Sequence, residues 1–151
     1  MKTFSISDIG KRREMNQDYM YTSENAVGNL PNLFIVADGM GGHKAGEYAS
    51  RYTVETIVES IEKDERTEPV EVIEHAICKA NEELIKKAAG DEAMSGMGTT
   101  VVVVTVIGKK AWVANVGDSR MYVVGKEIKQ VTRDPVSYTH LRAHETLANL
   151  V

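Results

Sequence analysis

The stretch Leu33-Phe34-Ile35-Val36-Ala37-Asp38-Gly39-Met40-Gly41-Gly42 constrains this chain more than any other. Five apolar residues run directly into a carboxylate, and glycines follow at once. A short apolar run bounded by glycine reads as a buried strand, which puts Asp38 where the sheet ends and a loop begins. A carboxylate there is costly to bury without a cation or hydrogen-bond donors. Gly39 has no side chain to hold a ligand away from the backbone. Two readings of Asp38 stand at this point. A carboxylate beside an accessible carbonyl suits a hard cation such as Mg²⁺ or Mn²⁺. Equally, Asp38 can cap the helix that starts after the glycines.

The rest of the chain alternates groups of strands with groups of helices. Phe4 and Ile6 alternate with serines, a weak opening strand, and the polar stretch 8–18 reads as a loop. Tyr19-Met20-Tyr21-Thr22 is a short strand, and Gly28 and Pro31 mark a turn before the central strand. From Lys44 to Glu62 the apolar residues Ala45, Tyr48, Ala49 and Tyr52, then Val54, Ile57, Val58 and Ile61, recur at helical spacing. A second helix follows, with Thr67 as N-cap, Pro69 in the first turn, a stripe of Ile73, Ala76, Ile77, Ala80, Leu84 and Ala88, and Gly90 as its stop. Thr99 to Ile107 is β-branched almost throughout, a strand buried on both faces. Gly108-Lys109-Lys110, Gly117-Asp118-Ser119-Arg120 and Gly125-Lys126 then separate three more strands, which are consecutive antiparallel hairpins. Helices bunched between strand groups give an α+β class, helices layered on antiparallel sheets.

Composition narrows the function. In 151 residues, 42% apolar and 26% charged residues describe a globular chain able to bury a core. Its net charge of −4 and lack of a basic patch argue against nucleic acid and a membrane surface as partners. The N-terminus has no long apolar core of a signal peptide, and no apolar run approaches the roughly 18 residues of a membrane span. Cys78 is the only cysteine, which leaves no internal disulfide. Together these give a cytoplasmic expectation.

Four acidic turn positions, Asp18, Asp38, Asp118 and Asp134, are the candidates for chemistry. Each alone reads most simply as a turn aspartate bonding its own backbone. Cys78 and Trp112, with the tyrosines at helical spacing, read as packed residues, and His75 as partly exposed. His43 reads as a residue at the helix start or behind the ligands rather than as a ligand.

Taken together, four segments resemble motifs of the metal-dependent Ser/Thr protein phosphatases, the PPM family of 2C type, in its bacterial form. They are Gly10 to Asp18 with Arg13, Val36-Ala37-Asp38-Gly39-Met40-Gly41-Gly42-His43, Gly98-Thr99-Thr100, and Asn115-Val116-Gly117-Asp118-Ser119-Arg120. The resemblance spans residues 1 to about 134 and matches the N-terminal part of such a domain. It implies a layered α-β-β-α sandwich of antiparallel sheets with flanking helices, here truncated. It also implies that Asp38 bridges two Mn²⁺ or Mg²⁺ ions, that the Gly39 carbonyl binds one and that Asp18 supports the second. Asp118 then serves a third, weaker metal site, and Arg13 holds the substrate phosphate, with Arg12 as its neighbour and substitute. A guanidinium can grip two phosphate oxygens at once, and paired ions ready water for attack, so no protein nucleophile is needed. Phosphorylated proteins are the implied substrates and a Ser/Thr kinase the implied opposing enzyme.

The pattern departs from the family after Asp134. Pro135 stands where a histidine is expected, and residues 135–151 match nothing in it, which makes them a suspected adapter- or vector-derived tail. His140 and His144 lack the His-Glu-x-x-His order of a zincin. The family's further Asp-Gly and Asp-Asn motifs are absent: the only Asp-Gly is Asp38-Gly39. The expectation is therefore a chain with little phosphatase turnover of its own, from an active parent. The rival expectations are a non-catalytic phosphoprotein-binding module, and a fragment whose open sheet edges prevent stable folding.

Overall fold

The computed structural model describes residues 1–11, 14–42 and 44–133. Its central element is strand β2 (Leu33–Met40), whose side chains alternate strictly between two environments. Leu33, Ile35 and Ala37 are buried, whereas Val36, Asp38 and Met40 are exposed. The continuous apolar run therefore has one covered face and one open face, with Val36 at 46% and Met40 at 47% exposure. Strand β1 (Asp18–Ser23) pairs antiparallel with β2 on one side. On the other side lie β3 (Gly98–Thr99) and β4 (Val101–Ile107), and β5 (Lys110–Val116) closes the sheet in the order β1-β2-β4-β5. A separate antiparallel ribbon joins β6 (Tyr122–Val124) to β7 (Ile128–Gln130).

Both helices, α1 (Lys44–Glu62) and α2 (Pro69–Gly90), connect β2 to β3. Val54, Ile57 and Ile61 of α1 and Val72, Ile73 and Ala76 of α2 form one buried cluster with Leu30, Leu33, Ile35, Ala37 and Val103. A smaller cluster joins Ala45 and Ala49 to Leu84 and Met97. Tyr48 and Tyr52 stack over it with ring centroids 5.4 Å apart, and they stay half-buried. The α+β class with antiparallel sheets and helices layered on them is the one observed.

The structure corrects several local expectations. Residues 1–9 form no strand, and Phe4 and Ile6 are 85% and 71% exposed. This segment is held by Thr3, whose N–H and hydroxyl both donate to Glu24 Oε1, at 2.8 and 2.7 Å. Glu68, not Thr67, is the N-cap of α2, without a side-chain capping bond, because Pro69 fixes the first turn one residue later than a Thr67 cap requires. Trp112 is half-buried rather than packed in the core. Cys78 is exposed rather than packed, since it lies off the stripe of Ile73, Ala76, Ile77 and Ala80 that faces the core. Asp18 is not a loop residue but the first residue of β1. Among the described residues no helix is long and apolar enough to cross a membrane.

Candidate metal-binding site

The pairing of β1 with β2 places Asp18 directly opposite Asp38. Residues opposed on an antiparallel pair project to the same face, about 5 Å apart at Cβ. Both residues are exposed, on the face away from the helices; Asp18 opens β1, whereas Asp38 stands two residues inside the end of β2, because Gly39 and Met40 continue the strand by pairing with β3 rather than turning into a loop at once. Two like charges in that position repel, and a shared cation offsets the repulsion. Hard carboxylate oxygens suit Mg²⁺ or Mn²⁺ in kind. In number they fall short: among the described residues no group of three or more His, Cys, Asp or Glu is placed to hold a metal ion.

Tight backbone packing builds the rim around this pair. Gly39 N–H donates to the Gln17 carbonyl at 3.0 Å, which carries the β1–β2 ladder past the Asp18–Asp38 pair. Gly39 is buried against the first turn of α1, where an added Cβ would lie 1.9 Å from the Gly46 carbonyl oxygen. Gly46 lies close as well: a Cβ there would meet the Gln17 side chain at 2.7 Å and the Gly39 carbonyl oxygen at 3.1 Å. On the approach to β1, Asp18 N–H donates to Asn16 Oδ1 at 3.0 Å, and Asn16 Nδ2 donates to Ser7 Oγ at 2.6 Å.

Asp118 is exposed in the turn after β5, at the same end of the sheet as Asp38. Its neighbour Ser119 hydrogen-bonds Thr100 (Oγ to Oγ1, 2.6 Å), and Thr100 N–H donates to the Asp38 carbonyl at 2.9 Å. Asp18, Asp38 and Gly39 are thus brought together, and Asp118 shares their rim without joining a common ligand cluster. Arg13, Arg12, His43 and Asp134 lie outside the described residues.

In the sequence, the Gly98-Thr99-Thr100 run shows no role for its hydroxyls, and nothing directly marks Gln17 or the packing of Gly46 against Gly39. The clustering of glycines from Gly39 to Gly46 was the available signal, because a glycine early in a helix marks close backbone approach. Partial desolvation by its neighbours pushes the exposed Cys78 thiol up from the ordinary value, and Glu74 and Glu82 push it further, which lowers its share of thiolate.

Comparison with known proteins places the chain in a family. A family model described as protein phosphatase 2C matches residues 10–145. The chain is 36% identical over 138 residues to the protein phosphatase PhpP of Streptococcus pneumoniae, covering 89% of this chain and 55% of that protein. It is 35% identical over 146 residues to the serine/threonine phosphatase stp of Listeria monocytogenes, covering 93% and 55%. The fold superposes on the crystal structure of the serine/threonine phosphatase Stp1 from Staphylococcus aureus with a TM-score of 0.75 at 34% identity, covering 85% of this chain and 52% of that one. It superposes on the catalytic domain of the serine/threonine protein phosphatase PstP in complex with two manganese ions with a TM-score of 0.72 at 28% identity, covering 85% and 54%. The chain spans about half the length of these relatives. A match over most of its residues and a shared fold show that the chain belongs to the protein phosphatase 2C family.

Proposed function

We propose that this chain carries one wall of the active site of a metal-dependent phosphoprotein phosphatase acting on phosphoserine and phosphothreonine. The observation that carries the reading is the register that sets Asp18 opposite Asp38, both exposed. In it, Asp38 and Asp18 hold two Mn²⁺ or Mg²⁺ ions, with the Gly39 carbonyl as a further oxygen donor. Asp118 serves a third, weaker ion. A bound divalent cation supplies a water of lowered pKa and neutralises charge on the phosphate. Arg13 would grip two oxygens of the phosphate dianion. Gly39 keeps the backbone close to the site, where a side chain would push it away from α1. Neither Cys78 nor a serine is asked to attack phosphorus.

The same reading includes phosphorylated proteins as substrates, an opposing Ser/Thr kinase, no nucleic-acid or membrane partner, and a cytoplasmic location. It treats residues 1–134 as the N-terminal part of the phosphatase domain and 135–151 as a tail foreign to it. The family match runs past that boundary to residue 145. A chain ending at Asp134 with the unfolding midpoint of the full chain supports the boundary, and one that no longer folds contradicts it.

With only two opposed carboxylates among the described residues, turnover by this chain is expected to be slow. The test pairs Mn²⁺ titration calorimetry with hydrolysis of p-nitrophenyl phosphate and a phosphothreonine peptide at millimolar Mn²⁺. Mn²⁺ binding lost in Asp38→Asn, with any hydrolysis lost in the same variant, supports the reading. Hydrolysis that survives Asp38→Asn contradicts it. A non-catalytic phosphoprotein-binding module is the second reading, favoured by the lack of a three-ligand cluster among the described residues. Phosphopeptide binding without Mn²⁺ and without turnover selects it.

A further inference from the structure

The ladder between β2 and its partner carries an exchange of acceptors at one position. Val36 pairs with Val102 and Gly39 with Thr99, so an unbroken register opposes Asp38 to Thr100. An antiparallel hydrogen-bonded pair exchanges both N–H···O=C bonds. Here Thr100 N–H donates to the Asp38 carbonyl at 2.9 Å, but Asp38 N–H donates to the Thr100 hydroxyl, Oγ1, at 3.1 Å. The Thr100 carbonyl instead accepts from the Thr99 hydroxyl at 2.8 Å. A side chain has taken the place of a backbone acceptor at the residue whose carboxylate leads the proposed site.

That same hydroxyl reaches the second acidic position. Thr100 Oγ1 and Ser119 Oγ are 2.6 Å apart, and Ser119 follows Asp118 directly. Thr100 is 4% exposed, so water does not compete for these bonds. Gly117, on the other side of Asp118, has φ +94°, and a Cβ there would lie 2.8 Å from Thr100 Cγ2. The turn holding Asp118 therefore rests on Thr100 from both sides, through the hydroxyl at Ser119 and the methyl at Gly117.

We propose that Thr100 is a positioning residue that locks the Asp118 turn to the Asp38 backbone, so that the two carboxylates are set as one unit. The inference rests on the reading of Asp38 as a cation ligand. It goes further by giving a role to a residue that touches neither ion nor phosphate. It predicts that loss of the Ser119 hydroxyl is felt at the Asp38 amide through the Thr100 hydroxyl.

Amide NMR on the full chain tests this without metal, and Mn²⁺ calorimetry tests its consequence. Thr100→Val, which keeps the methyl and removes the hydroxyl, is expected to speed exchange of the Asp38 amide and weaken Mn²⁺ binding, each by about tenfold. Thr100→Ser, which keeps the hydroxyl, is expected to leave both within about twofold. Ser119→Ala is expected to move the Asp38 amide resonance in the parent but not in Thr100→Val. Unchanged resonances of α1 and α2 separate these effects from loss of fold. If Thr100→Val does not fold, Ser119→Ala in the parent decides, and an Asp38 resonance that stays in place overturns the proposal. Mn²⁺ binding in the parent that Thr100→Val leaves unaltered overturns the role of Thr100 alone. A parent that binds no Mn²⁺ overturns the cation reading and that role with it.

Discussion

Replacing Gly39 by alanine is the sharpest perturbation the fold offers. The added Cβ would stand 1.9 Å from the Gly46 carbonyl oxygen, 2.6 Å from the Gly46 carbonyl carbon and 2.9 Å from the Gln17 carbonyl oxygen. All three are backbone atoms, so no rotamer change relieves the clash. Regaining even a 3.0 Å contact requires the strand end and the first turn of α1 to separate by about 1.1 Å. That separation loosens Ala37 from Val54 and Ile57 in the main cluster and pulls Ala45 from its neighbours. Overpacking of this kind costs about 3 kcal/mol, or roughly 10 °C in melting temperature for a chain of this size. Two neighbouring glycines provide the controls. Gly46→Ala meets chiefly the flexible Gln17 side chain and gains about 1 kcal/mol of helix propensity, so its net cost is small. Gly42→Ala meets nothing within 4 Å and stays within about 0.5 kcal/mol of the parent. Thermal unfolding followed by circular dichroism should rank the losses Gly39 > Gly46 > Gly42. A Gly39→Ala chain as stable as the parent, or a Gly42→Ala chain as damaged as Gly39→Ala, would refute the close-packing argument.

Other expectations follow from single contacts. Asp18→Asn removes a like charge opposite Asp38, so metal-free stability rises by about 0.5 kcal/mol while calorimetric Mn²⁺ affinity falls at least about tenfold. Asn32 is 7% exposed and bonds Val106 twice, donating to its carbonyl and accepting its N–H, each at 2.7 Å. Asn32→Ala leaves both groups without that partner and costs about 2 kcal/mol, read from urea midpoints. Burial pushes the Asp64 carboxyl up, but the Arg66 N–H and guanidinium and the His75 ring outweigh it and leave it below the ordinary 3.8. A depressed carboxylate stabilises fully above that value and loses its contribution as pH falls through the folded pKa, so Asp64→Asn should flatten the stability loss below about pH 4. Cys78, though exposed, should react with a disulfide reagent at neutral pH more slowly than free cysteine, and Cys78→Ser should leave any hydrolysis unchanged.

The legible parts of this fold are those where a local pattern meets a matching environment. Helix α1 has the bounds its spacing predicts, because Ala45, Ala49, Val54, Ile57 and Ile61 present one buried stripe. Strand β2 is equally plain in outline, yet its apolar run did not reveal which face is open, since Val36 and Ala37 are both apolar and only tertiary packing separates them. The alternation of Phe4 and Ile6 misled for the reverse reason: period alone forms no strand where no neighbour supplies a ladder. In the site, the aspartates stood out by residue type and position. Their partnership did not, because the pairing of Asp18 with Asp38 depends on a register set between strands. The Thr100 hydroxyl was hidden further, since its partners Asp38 and Ser119 lie 62 and 19 residues away in sequence.

Paramagnetic broadening by Mn²⁺ reads the proposed ligand set residue by residue. Titrating substoichiometric Mn²⁺ into the isotope-labelled chain should erase the amide resonances of Asp18, Asp38 and Gly39 first, and Asp38→Asn should abolish that selectivity. Broadening that begins instead at the acidic surface of α2, around Glu71 and Glu82, or that spreads evenly over the chain, would contradict the assignment of these carboxylates as the metal-holding rim.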